Sequence, residues 1–302
     1  MRYPSIGVVV PTRDRPELLR RTLASIAAQD YPGPLRTVVV YDQSAPDRTV
    51  PADLVLPNAR TTGLAGARNT AILALDTDLI AFCDDDDEWL PDKLSAQVAA
   101  LDESCDADCD VVTAAIEVHY RDRLVPRLAG LDRVCFADLV RSRMAMLHAS
   151  TFLIRRAALL DPARLGLVAE DAPGSQNEDW DLLLRAARRA PIVHVDRPLV
   201  RVRWGLTSHY AYEYATKISS LRWMMNRHPE IAGCPPGAAR VYGQLACWSA
   251  ATGNRSAAWR YARAAVRNNW REPRTAIALA AVTRVVRVES VLGALHRRGR
   301  GI

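Results

Sequence analysis

The sequence predicts an α/β protein: a mainly parallel, Rossmann-like sheet flanked by helices, followed by an all-helical C-terminal extension. Three observations carry this. Through the first hundred residues short apolar runs alternate with helical patterns, the signature of β-α-β units. The run Leu79-Ile80-Ala81-Phe82-Cys83 is apolar throughout, as expected of a central strand buried on both faces. Beyond residue 210 strand signals stop and only helical patterns remain.

Taken in order, residues 6–10 form a first strand closed by Pro11. Asp14 and Pro16 then open a helix with Leu18, Leu19, Leu23 and Ile26 on one face. Residues 37–41 form a second strand ending at Asp42, and residues 53–56 a short third one. A second helix starts near 63–65 and carries Ala67, Ala71, Ile72 and Leu75 at helical spacing. Pro91 opens another, with Leu94, Val98 and Leu101 in register. Strands are expected at 111–118, 150–155 and 192–195, and a helix at 178–190 after a polar loop. Four helices follow, at 212–227, 237–252, 256–268 and 273–295, with Gly253-Asn254 as a turn between two of them. The implied division is a sheet-bearing domain at 1–210, in halves 1–100 and 101–210, and a helical extension at 211–302.

Composition bounds the function. The chain has 302 residues, 49% hydrophobic and 25% charged, which fits a globular protein with a sizeable core. The apolar stretch 6–10 is too short for a signal-peptide core, and the best membrane-span candidate, 275–295, is broken by Arg284, Arg287 and Glu289. The six cysteines, at 83, 105, 109, 135, 234 and 247, show no C-x-x-C pair, so they read as reduced thiols in a cytoplasmic protein rather than a zinc site. Lys93 and Lys217 are the only lysines, and the net charge of +6 is carried by arginine. Basic residues interleave with acids instead of forming a nucleic-acid stripe. They thicken at Arg284, Arg297, Arg298 and Arg300, which allows peripheral contact with the inner face of a membrane.

In an open α/β sheet ligands bind outside the carboxyl ends of the strands. That rule brings together residues 11–15, 42–44, 63–69 and the acidic run Asp84-Asp85-Asp86-Asp87. Four adjacent carboxylates repel one another, and a hard divalent ion, Mg2+ or Mn2+, relieves the repulsion. An Asp-x-Asp spacing lets Asp84 and Asp86 converge, one on a ribose hydroxyl and the other on the metal. The competing reading is a solvated run that caps the next helix.

An ordered series of motifs carries a resemblance. Val9-Val10-Pro11-Thr12, Arg15-Pro16-Glu17-Leu18-Leu19, Gln29-Asp30-Tyr31-Pro32 and Val40-Tyr41-Asp42 come first. Asn58 to Gly63 with Ala67-Arg68-Asn69, then Phe82-Cys83-Asp84-Asp85-Asp86-Asp87-Glu88-Trp89-Leu90-Pro91 and Glu178-Asp179-Trp180-Asp181-Leu182, complete it. Over residues 5 to 205 the chain resembles family 2 glycosyltransferases of the GT-A fold. The resemblance implies an inverting transferase that takes one sugar from a nucleoside diphosphate sugar, commonly a UDP-sugar, to an acceptor that is a small molecule, a lipid-linked compound or a glycan. It places nucleotide contacts on Pro11, Thr12, Arg13, Asp42, Arg68, Asp84 and Asp85, the metal on Asp86 with His209, and sugar or acceptor contacts on Asp87, Glu178, Trp180 and His148. On this reading 1–100 is the nucleotide half of the catalytic domain and 101–210 the acceptor half.

The matching second acid, Asp179, is the candidate general base, and a helix N-terminus favours its ionised form. Ser175-Gln176-Asn177-Glu178 also fits a capping box, which would give Glu178 a structural role. Trp180 suits either a sugar face or the core, and His148 either the acceptor pocket or packing. His194, between Val193 and Val195, reads as structural. Arg13-Asp14 stands where family members often have an aromatic residue and Asn, and Gln43 where they have Asp, so the ring that commonly stacks on the base is missing. Arg222-Trp223 is preceded by Ser219 rather than by the Gln of the processive synthases' Gln-x-x-Arg-Trp, which fits single addition. A nucleotidyltransferase would show a glycine-rich phosphate loop after the first strand, and there is none at 8–13. A catalytically silent sugar-nucleotide or metal-binding (calcium) module is the rival among binding proteins.

Overall fold

The structure is a computed structural model that describes residues 3–104, 108–120, 123–204 and 213–282. Its sheet is nucleated by β-branched runs. In β1 (Ile6–Thr12) all seven residues are buried, as expected of a central strand with a partner on each side. β1 pairs in parallel with β2 (Leu35–Tyr41) on one side and β4 (Leu79–Phe82) on the other, and β3 (Leu54–Pro57) extends the edge beyond β2. α1 (Pro16–Ala27) and α2 (Leu64–Ala74) make the connections. The proline opening α1 sits where a missing N–H costs nothing.

After β4 the topology changes. β5 (Glu88–Trp89) and α3 (Lys93–Glu103) lead to β6 (Val111–Tyr120), which carries the hairpin partner β7 (Arg123–Arg127). β8 (Arg133–Val134) precedes α4 (Phe136–Arg141), and β9 (Leu153–Arg155) follows a single 3-10 turn at Ala149–Thr151. Then come α5 (Arg156–Leu160), α6 (Glu178–Arg189) and β10 (Ile192–Arg203). The order along the sheet is β3-β2-β1-β4-β9-β6-β10-β5. The parallel pattern holds for the first four strands and for β6 with β10, while β9 runs antiparallel to both of its neighbours. The two halves read from the sequence therefore share one continuous sheet. β10 runs far past 195 because bulges at Val195/Pro198 and Pro198/Val200 absorb its proline.

The chain forms two compact units: among the described residues, segments 137–143 and 172–177 group with the helices that follow residue 204, and the rest with the sheet. In the second unit α7 (Tyr214–Arg227), α8 (Glu230–Gly233), α9 (Pro235–Ala251), α10 (Arg255–Asn268) and α11 (Pro273–Val282) pack around Met224, Leu245, Ala258, Ala262 and Ala265. The segment 172–177 is tied in by Ser220, whose hydroxyl donates to the Gln176 carbonyl and accepts from Asn177 Nδ2. No helix among the described residues is long and apolar enough to cross a membrane.

Candidate active site

The acidic run leaves β4 as a turn rather than an extended strand. The Asp87 N–H donates to the Asp84 carbonyl at 3.2 Å, the i to i+3 bond of a β-turn. Such a turn brings its first and fourth residues together and sends the central two elsewhere. Asp85 and Asp86 accordingly turn to the end of β1. Thr12 Oγ1 donates to Asp85 at 2.6 Å, and Arg15 donates to Asp86 at 2.7 Å and to Asp85 at 3.4 Å. The convergence expected of Asp84 and Asp86 from their spacing is thus replaced by one of Asp84 and Asp87. Together with His148, these two offer ligand atoms that all lie within 4.8 Å of one another, a group that could hold a metal ion.

Ser150 locks this arrangement. Its hydroxyl accepts from the Asp84 N–H at 2.9 Å and donates to Asp87 Oδ2 at 2.6 Å, while His148 Nδ1 lies 3.3 Å from the same oxygen. The Ser150 turn is in turn held from below. Trp89 Nε1 donates to the Ser150 carbonyl, Gln97 Nε2 donates to the Thr151 carbonyl, and Lys93 Nζ donates to Gln97 while lying 4.0 Å over the Trp89 ring. Lys93 is fully buried, and burial lowers its pKa to about 7.

Arg68 supplies the positive charge. α2 can deliver it because Gly63 takes φ 116 at the helix start and Gly66 lets the Thr61 carbonyl pass where a Cβ would lie at 1.9 Å. The guanidinium is 1% exposed and bridges Asp84 (2.7 Å) and Glu178 (2.6 Å) against the Phe82 ring. Its neighbour Asn69 latches the next loop through the Val168 backbone and Glu170. Asp42 accepts from Gln43, Asn58 and the Gly63 N–H, joining the end of β2 to the loop that precedes α2. Those bonds outweigh burial and lower its pKa.

The electrostatics show an excess of carboxylate. Burial first, then the charges of Asp86 and Asp84, hold Asp87 well above the usual carboxylate range. Burial, followed by repulsion from Asp84, also raises Asp86. Asp85 rises to about 6, chiefly through burial against the opposing bond from Thr12. Glu178 rises to about 7, burial and the adjacent Asp179 outweighing Arg68. Two guanidiniums, Arg15 and Arg68, do not neutralise the five carboxylates Asp84, Asp85, Asp86, Asp87 and Glu178.

Glu178 does not close a capping box; its carboxylate turns inward to Arg68 and is 3% exposed. Asp179 lies beside it in the first turn of α6, 9% exposed, with Oδ1 accepting from the Trp180 N–H at 2.8 Å. Trp180 is 3% exposed, a core residue. Pro11 is buried within β1, and Arg13 is exposed beyond its end. His194 is buried, with Nδ1 2.9 Å from Thr113 Oγ1, as a structural histidine would be. His209 lies outside the described residues. Sequence reasoning missed Arg15 as a partner of the acidic run, and it missed Ser150. Neither belongs to a local chemical pattern; their roles exist only once β1, β4 and β9 are side by side.

Comparison with known proteins bears on the family and the fold. The Glycosyl transferase family 2 model matches residues 7–161, just over half of the chain. Among curated relatives, the putative colanic acid biosynthesis glycosyl transferase WcaA of Escherichia coli K12 is 30% identical over 105 residues, which cover 32% of this chain and 37% of that protein. The succinoglycan biosynthesis protein ExoW of Rhizobium meliloti is 30% identical over 203 residues, covering 55% of this chain and 60% of that one. The chain therefore spans only part of the length of these relatives. Among solved structures, S. aureus TarS 1-349 in complex with UDP-GlcNAc superposes with a TM-score of 0.61 at 19% identity, covering 98% of this chain and 92% of that one. The mannosyltransferase PcManGT of Pyrobaculum calidifontis, in complex with GDP-Man and Mn2+, gives 0.52 at 20% identity, covering 97% and 79%. Likeness at that identity speaks for the fold, and the match over 7–161 speaks for descent: the chain belongs to glycosyl transferase family 2.

Proposed function

We propose that this protein is an inverting glycosyltransferase that moves a single sugar from a nucleoside diphosphate sugar, a UDP-sugar in the first instance, to the hydroxyl of a small-molecule, lipid-linked or glycan acceptor. The observation that carries the reading is the Asp84, Asp87 and His148 group beside buried Arg68, at the strand ends where a diphosphate would lie. Two carboxylate oxygens and one imidazole nitrogen suit Mn2+, with Mg2+ as the harder alternative. A divalent ion held there acts as a Lewis acid on the departing diphosphate. TarS with UDP-GlcNAc and PcManGT with GDP-Man and Mn2+ support a donor and an ion of these classes.

The chain's own residues divide the remaining work. Pro11, Thr12, Arg13 and Asp42, at the ends of β1 and β2, flank the base and ribose. Arg68 holds Asp84 in place and adds positive charge beside the phosphates. Thr12 and Arg15 fix Asp85 and Asp86, so the run keeps its turn when the donor enters. Asp179, oriented by the Trp180 N–H, takes the proton of the acceptor hydroxyl as it attacks the anomeric carbon from the face opposite the diphosphate. The sugar then carries the acceptor oxygen with inverted configuration, and the diphosphate leaves with the bonding electron pair.

The test follows transfer of labelled sugar from UDP-GlcNAc and UDP-Glc to lipid and glycan extracts. Asp179→Asn is expected to bind donor as wild type does and to lose about 10²- to 10⁴-fold in transfer. Full activity in that variant removes Asp179 from the chemistry, and absence of transfer by wild type with every donor favours a silent binding module.

A further inference from the structure

Charge is distributed unevenly along this chain. Residues 231–302 hold twelve arginines against two acids, Glu272 and Glu289, whereas residues 1–230 hold more acids than bases. Between Glu230 and Glu272 there is no acidic residue at all. Such asymmetry marks a segment that meets an anionic partner.

Among the described residues this charge gathers on α10 and the turn after it. Ala258, Ala262 and Ala265 form the buried stripe of the helix. The opposite sector is exposed. At 100° per residue, Arg260, Arg263 and Arg267 form one row, and Trp259 and Val266 form a parallel apolar edge, 53% and 44% exposed. Trp270, 72% exposed, continues that edge past the helix end, with the Arg271 guanidinium 4.9 Å over its ring. Large exposed tryptophans cost hydrophobic free energy in water unless something covers them.

The occupant must therefore accept both a row of guanidinium groups and an apolar edge alongside it. A second copy of the same face is disfavoured, because two arginine rows would meet. Anionic phospholipid satisfies both requirements: phosphate groups pair with the arginines, and indole rings settle at the headgroup level. We propose that the exposed face of α10, extended by Trp270, is a membrane-contact surface that lies in the plane of a bilayer carrying anionic headgroups.

The experiment is flotation of the full chain with vesicles of phosphatidylcholine alone and of phosphatidylcholine mixed with phosphatidylglycerol. Wild type is expected to float with the mixed vesicles, to be released by salt, and to stay behind with phosphatidylcholine alone. The triple variant Arg260→Glu, Arg263→Glu, Arg267→Glu is expected to lose at least roughly fivefold in partitioning per arginine. Trp259→Ala with Trp270→Ala should weaken binding while leaving its salt dependence in place. Thermal melts verify folding, and Arg260→Gln with Arg267→Gln serves if the triple variant does not fold. Equal binding to both vesicle types overturns the proposal, as does a charge-reversed variant that floats like wild type. Binding to duplex DNA without binding to vesicles overturns it too, and so does a wild-type dimer that the charge reversal dissociates.

Discussion

Arg68 is buried and holds two acids, Glu178 at 4% side-chain exposure and Asp84 at 22%. Removing it leaves Asp84 and Glu178 beside each other without compensation, and breaking a buried pair in this way costs about 3–5 kcal/mol. Arg68→Ala is therefore expected to lower the unfolding free energy, read from denaturant melts, by that amount. Adding Glu178→Gln should recover part of the loss, and purely additive effects would show that the two side chains are not coupled. Lys93 makes a separate prediction. Its folded pKa of about 7 lies below the ordinary lysine value, so between about pH 7 and pH 10 the unfolded chain binds more protons than the native one. Stability contributed at Lys93 therefore rises with pH across that window and is flat below it. Wild type should gain on Lys93→Met as thermal melts are taken from pH 7 towards about pH 9; parallel curves would contradict a depressed pKa. At this scale the sequence was legible in kind but not in direction. The four aspartates announced a site, yet alternation along a strand would have paired Asp84 with Asp86. The β-turn instead sends Asp86 to Arg15 and brings Asp87 to Ser150 and His148.

At the scale of elements, the 3-10 turn at Ala149–Thr151 acts as a template for the acidic turn. Ser150 serves both its ends, accepting from Asp84 and donating to Asp87. Ser150→Ala should cost about 1–3 kcal/mol of stability through the unsatisfied groups. It should also weaken Mn2+ affinity about 10- to 100-fold, as loss of an outer partner does at metal sites. Titration calorimetry with Mn2+ checks this, and unchanged affinity would show that the turn does not shape the site. The long strands and helices were readable because their apolar periods are strong: β1, β2, β4 and α1 stand within a few residues of expectation. β5 and β8 are two residues long and so carry no period, and β7 is a hairpin arm with little buried surface. The antiparallel direction of β9 depends on which neighbours it meets, a matter of tertiary contact that local pattern does not encode.

At the scale of the whole molecule, the sheet-bearing unit holds the acidic site, and the helical unit carries the arginine-rich, tryptophan-bearing surface. The family was legible from ordered motifs spread over the first two hundred residues, and the match over 7–161 bears it out. The uneven charge was legible too, but only when counted by segment rather than over the chain. On the proposed function, the surplus carboxylates around Asp84 and Asp87 bind a nucleoside diphosphate sugar through a divalent ion. Thermal shift of the full chain against UDP-, dTDP- and GDP-sugars, with Mn2+ and after chelation, tests it most directly. The melting temperature is expected to rise with donor for one nucleotide class, and the rise to disappear when the ion is removed and in Asp87→Asn. A rise of equal size without the ion, or no rise with any donor, would contradict it.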